Sequence, residues 1–192
     1  MIFDDFISGD EFTSLELEPD SLIDRQFSRC EFISCTFRET DLRSTDFDTC
    51  TFLKCNFILP KIEGLVLRNV TFKDSRLMGL PFGECNQFGF SPDFHGCIID
   101  SCMFINLQLR KKEFVRNHFR NTDFMNCDLR EASFKGCHFD NALFHNCDLR
   151  ESDFREAENY SIDPDGNKVK GSKHRLPGGL SFLPFVGIDL EL

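Results

Sequence analysis

The chain has 192 residues, 41% of them hydrophobic, enough for one domain or one solenoid with a sizeable core. Its 32 acidic residues outnumber 22 basic ones, a net charge of −10, which argues against direct binding to nucleic acid, a task that calls for a basic footprint. No apolar run approaches the roughly 18 residues of a membrane span, and the opening MIFDDFISGDEF has no basic leader segment.

From Phe12 onward a Phe, Leu or Ile stands on every fifth residue, and the residue two before it is usually small. Phe12, Leu17 and Leu22 open the series, but Asp10 and Leu15 are poor small residues. Residues 1–24 therefore read as an N-terminal cap, with the coil starting between Leu15 and Leu22. Phe27, Phe32, Phe37, Leu42, Phe47, Phe52, Phe57, Ile62, Leu67, Phe72, Leu77 and Phe82 continue the rule without a miss. Between Pro60 and Leu80 the small positions hold Pro60, Leu65, Val70, Ser75 and Leu80, which predicts a wider, bulged or irregular stretch.

GECNQFGFSPD at 83–93 breaks the phase, with Gly83, Gly89 and Pro92 as turn residues. Twelve residues separate the flanking centres Phe82 and Phe94 where ten would keep phase. Two readings stand. In one, Glu84, Asn86, Gln87, Phe88, Phe90 and Asp93 form a projecting, partner-binding loop. In the other, the segment is a bulge whose aromatics tuck back. A second run follows, with thirteen centres from Phe94 to Phe154. Within it Lys112 falls on a small position, so that the coil distorts there or the lysine snorkels outward. The repeat stops near Ala157, and the tail from Asn159 to Leu192 has another composition, with a turn at Asp163-Pro164-Asp165-Gly166 and an apolar end.

A period of five is neither the helical 3.6 nor the strand 2.0, and marks a repeat architecture. CDLREASF at 127–134 recurs as CDLRESDF at 147–154, twenty residues on, the length of one turn of a four-sided coil. The pattern of a small residue, a polar one, Leu or Phe and two more, as in Cys127-Asp128-Leu129-Arg130-Glu131, resembles the pentapeptide repeat family over about residues 25–158. The resemblance implies an all-β fold, a right-handed quadrilateral parallel β-helix. Centres and small residues point inward, the other three positions face solvent, and residues 159–192 form a C-terminal cap.

All ten cysteines fall on the small inward position, which predicts packed free thiols and a reducing, cytoplasmic setting. No catalytic constellation is visible, and neither an enzyme, a cofactor nor a metal is expected. His118 and His138 lie one above the other on the outside, but Cys127, Cys137 and Cys147 face inward and cannot join them on a metal. Arg110, Arg130 and Arg150 make one column beside Lys111, Glu131 and Glu151.

The tail, with Asn159-Tyr160-Ser161-Ile162-Asp163-Pro164, Leu176-Pro177 and Gly187-Ile188, is similar to the ends of pentapeptide proteins of the Qnr, MfpA, McbG and AlbG type. That resemblance implies a cytoplasmic homodimer that binds DNA gyrase or topoisomerase IV as an acidic mimic of duplex DNA and protects it from inhibitors. The alternative is an interaction scaffold for another protein. Asp123, Asp128, Asp140, Asp148 and Asp153 are the candidate acidic partner face, with Asp41, Asp46 and Asp48 in the first half. Leu180, Phe182, Leu183, Phe185, Val186 and Ile188 are the candidate dimerisation residues. Gly178, Gly179 and Pro184 disfavour a helix there, which predicts a shortened dimer element or none.

Overall fold

The computed structural model describes residues 4–17, 19 and 22–188. Its strands are two or three residues long, and the apolar centre of each points inward between outward neighbours. That is the strand alternation cut to a single period. After each centre the chain turns a corner. At most of these corners the residue two places on adopts a left-handed backbone, as do Ser14 at φ 54° and Glu151 at φ 62°. The strands then pair in parallel with those about twenty residues away, Phe32 against Phe52 and Phe119 against Phe139. The result is a quadrilateral β-helix of about seven turns.

Four faces follow from the register. The first carries Phe6–Ser8, Gln26–Ser28, Asp46–Asp48 and Val66–Arg68, and continues through the bridged residues Gln108, Asp128, Asp148 and Lys168. The second runs from Glu11–Thr13 to Phe114–Val115 and on through Ser133, Asp153 and Lys173. The third runs from Thr36–Arg38 to His138–Asp140, and the fourth holds Met103–Ile105, Asp123–Met125 and Leu143–His145.

Phenylalanine fills the interior because flat rings stack along a column and meet edge to face across it. On the second face Phe32, Phe52 and Phe72 stack at centroid distances of 4.9 and 5.1 Å. Phe52 meets Phe57 of the next face edge-on at 5.1 Å. The small inward residue has a second role. Its polar atom donates to the carbonyl of the centre one repeat back on the coil below: Cys50 Sγ to Phe27 O at 3.4 Å, Thr45 Oγ1 to Leu22 O at 2.7 Å, Asn117 Nδ2 to Phe94 O at 2.8 Å. Nine of the ten thiols make this bond. All ten are free and buried.

The coil departs from expectation at three places. It begins earlier, at Phe6–Ser8 paired with Gln26–Ser28, because Ile7 supplies a buried centre in the same phase. The stretch from Pro60 to Leu80 is not irregular. Leu65, Val70 and Leu80 are buried while Val66–Arg68, Thr71–Lys73 and Arg76–Met78 stay in register, so the narrow interior accepts larger side chains beside Ile62, Leu67 and Leu77. The coil also outlasts the repeat sequence. Asp148 bridges Lys168 and Asp153 bridges Lys173, so a last turn with no repeat signature is laid on by backbone bonding. His174 takes the next centre position there. Its ring stacks on Phe154 at 5.5 Å, Tyr160 Oη lies 3.0 Å from its Nδ1, and Phe182 meets it edge-on at 4.8 Å.

Candidate partner surfaces

The break at 83–93 replaces one strand of the first face. A 3₁₀ turn at Phe82–Glu84 leads into it, and the coil resumes at Asp93–His95. The two expected readings are divided between its aromatics. Phe88 is 83% exposed, whereas Phe90 packs back against the core, 6.2 Å from the Phe82 ring. The neighbouring side chains hold this shape. Asn86 Oδ1 accepts from Phe88 N at 2.9 Å, and Gln87 Nε2 donates to Cys85 O at 2.9 Å. Gly89 sits at φ 76° against the Arg68 side chain, where an added Cβ would come within 3.1 Å. Glu84 is exposed, and its carbonyl accepts from Gly64 N at 2.9 Å. Asp93 is half-exposed but not free: its carboxylate takes Lys112 Nζ at 2.6 Å, which also settles how a lysine occupies a small inward position. Lys112 snorkels out to that carboxylate and to Ser91 O.

The five acids of the expected partner face do not share a face. Asp128 and Asp148 stack on the first, Asp153 lies on the second, Asp140 on the third and Asp123 on the fourth. A step of five residues carries the chain to the adjacent side, and only a step of twenty returns it. Three of them are also neutralised by their own repeat. In Asp128-Leu129-Arg130, Asp148-Leu149-Arg150 and Asp153-Phe154-Arg155, acid and arginine flank an inward centre, so both point outward side by side. Each arginine closes a two-nitrogen clip on its aspartate, with Nη2 to Oδ2 distances of 2.5, 2.6 and 2.6 Å. The Arg130, Arg150 and Arg155 hydrogen bonds hold these three carboxyls below the usual carboxylate range. Asp41 is clipped by Arg43 in the same way, and Asp46 pairs with Arg68 at 2.7 Å.

The negative charge lies elsewhere. Residues 1–24 contain eight acids and no base, leaving 24 acids against 22 bases in the rest. The field of this molecule therefore belongs to its N-terminal end. Charge counted over the whole chain hid this, although the sequence alone carries it.

At the other end, residues Gly178–Val186 form a 3₁₀ segment closed by Gly187 at φ 74°. Glycines and a proline thus yield a tighter turn where an α-helix was disfavoured. Phe182 faces inward onto the last coil and Leu183 is half-buried. Leu180, Phe185 and Ile188 are exposed, and with Leu176 they leave an apolar surface at this end. The side chain of Val186 and residues 189–192 lie outside the described part.

On the third face the register sets His138 over His118, rings 4.8 Å apart, with Asp140 between their Nε2 atoms at 3.1 and 2.7 Å. Cys127, Cys137 and Cys147 are buried, whereas these rings are partly exposed. The carboxylate two residues along the same strand is the neighbour that the sequence reading missed, and the spacing His138-x-Asp140 was the signal for it.

Residues 26–58 match the family model of pentapeptide repeats (8 copies), and residues 97–173 match that of a pentapeptide repeat region. No curated protein matches the sequence. Trypsin-treated QnrB1, a plasmid-mediated fluoroquinolone resistance protein, superposes with a TM-score of 0.63 at 14% identity, covering 97% of this chain and 100% of that one. HetL, a pentapeptide repeat protein involved in heterocyst differentiation regulation from the cyanobacterium Nostoc sp. strain PCC 7120, superposes with a TM-score of 0.59 at 12% identity, covering 90% and 85%. At these identities the likeness is one of fold. Among the described residues no helix is long and apolar enough to cross a membrane.

Proposed function

This chain belongs to the pentapeptide repeat family, and we propose that it binds a type II topoisomerase, DNA gyrase or topoisomerase IV, in the place of duplex DNA and so shields the enzyme from inhibitors. The observation that carries this reading is the end-to-end superposition on QnrB1, a fluoroquinolone resistance protein, with nothing of that chain left uncovered. The tail resemblance points the same way, and the exposed Leu180, Phe185 and Ile188 offer a surface through which two chains would join. In such a dimer the acidic N-terminal ends point outward, where an enzyme surface built for phosphates would meet them first. Phe88 is the apolar contact that the loop would add.

A second reading has its own support. The fourth face presents Met103, Ile105, Met125 and Leu143 outward, with Met103 and Leu143 exposed. Such a face is unlike a polyanion, and the HetL likeness is nearly as close. It suits a scaffold for another protein. The readings separate in an assay of purified gyrase, titrated with this protein, that follows supercoiling and drug-stabilised cleavage. The topoisomerase reading expects both to change, and the change to be lost in Phe88→Ala and in the triple reversal of Asp10, Glu11 and Glu16 to Lys. No change at low salt, with the protein folded, would leave the scaffold reading.

A further inference from the structure

We propose that His118, His138 and Asp140 form a binding site for a divalent transition-metal ion of the zinc class on the third face. The parallel register puts the two imidazoles on successive coils, and Asp140 shares a strand and a side with His138. All three ligand atoms lie within 4.8 Å of one another, and the carboxylate spans the two Nε2 atoms at 2.7 and 3.1 Å. Tetrahedral zinc with bonds of about 2.0–2.1 Å sets its ligand atoms about 3.3 Å apart, so small side-chain rotations suffice. Two imidazoles and one carboxylate are a ligand set of borderline softness that suits zinc rather than magnesium or calcium.

The surroundings point to the same occupant. Glu158 Oε2 lies 3.5 Å from His138 Nδ1, on the side of the ring away from Asp140. It favours the tautomer with the proton on Nδ1 and the lone pair of Nε2 turned to the site, the outer-shell arrangement that orients metal-bound histidine. Asn159 Nδ2, 3.0 Å from that Nε2, fits the same tautomer. A metal ion that takes this lone pair in place of the Asn159 amide would also meet an Asp140 oxygen, 3.1 Å from the same nitrogen. Asp140 also lines an open depression of about 460 Å³ with Arg120, Asn121, Phe139, Asn141 and Asn159.

The test is a titration of Zn²⁺ into the full chain, free of any histidine tag, against a competing chromophoric chelator. One ion per chain is expected, with at least tenfold weaker binding in His118→Gln, His138→Gln and Asp140→Asn, and a loss of about tenfold in Glu158→Gln. These side chains are partly exposed, so the thermal midpoints in the presence of a chelator should stay at the parent value. Imidazole NMR signals of the unaltered protein give a readout independent of the variants: zinc should move those of His118 and His138 and leave His95, His145 and His174 in place. Absence of binding, equal affinity in all variants, or a cobalt(II) complex showing thiolate-to-metal charge transfer, which would put the ion on cysteine, would overturn the proposal.

Discussion

At the scale of single residues, each repeat position has one task. Phe124 is fully buried and stacked between Phe104 and Phe144 at 4.8 and 4.9 Å. Phe124→Ala is expected to cost about 3–5 kcal/mol, because rings stacked above and below cannot close on the cavity. Phe124→Leu should cost far less, since Leu109, Leu129 and Leu149 fill equivalent positions. Urea midpoints of the two variants check this, and equal small losses would contradict it. The thiols are similarly constrained. Burial pushes Cys50, Cys85, Cys102 and Cys137 up to about 12 and Cys97 to about 11. Cys55 and Cys127 are raised by hydrogen bonding with the thiol stacked on each, Cys35 and Cys147, and then by desolvation. The thiols so raised are poor nucleophiles while the fold holds.

At the scale of elements, the last coil is the informative one. His174 closes the Phe column, and burial lowers its basicity below the ordinary 6.5, with Asp153 acting weakly the other way. A base held neutral in the fold contributes nothing to pH dependence while both states are neutral. As pH falls below about 6.5 the unfolded chain takes up the proton first, so stability declines from there down through the folded pKa. The clipped aspartates work in a lower window. Their carboxyls are depressed from 3.8, so the stability they add is present above that value and lost as pH falls through the folded pKa. Thermal midpoints between pH 7 and 5 should therefore fall in the parent and fall less in His174→Gln. Equal slopes would contradict the assignment.

This coil also marks how far the sequence could be read. The period of five was enough for the fold, the inward cysteines and the interrupted phase, because one side-chain type serves one geometric position throughout. Ile7 and His174 escaped it: a lone Ile among acids and a histidine in a Gly- and Pro-rich tail do not look like centres until backbone pairing supplies the register. The partner surface was legible only in part. Side is set by steps of twenty, so acids five apart scatter around the coil, and the Asp-x-Arg spacing that neutralises three of them went unused. The hydrogen bonds from the small inward residues to the coil below reach across 23 residues, beyond any local pattern.

At the scale of the whole molecule, the rod has two unlike ends. One carries eight acids in 24 residues, and the other leaves Leu176, Leu180, Phe185 and Ile188 exposed. If the apolar end joins two chains, Leu180→Asp with Phe185→Asp should give monomers in light scattering without unfolding, because both side chains are already exposed. A parent monomer at micromolar concentration would contradict the proposed dimer. Reversing Asp128, Asp148 and Asp153 would break three arginine clips and lower the thermal midpoint, so it is the N-terminal acids that test the electrostatics cleanly.

The proposed function puts this protein in the place of DNA on a type II topoisomerase. It is tested most directly by equilibrium competition, with gyrase bound to a labelled linear duplex and this protein added at two salt concentrations. Complete displacement is predicted, with weaker competition at the higher salt because the end-on attraction is screened. A duplex that stays bound at saturating protein and low salt, or a ternary complex, would contradict it.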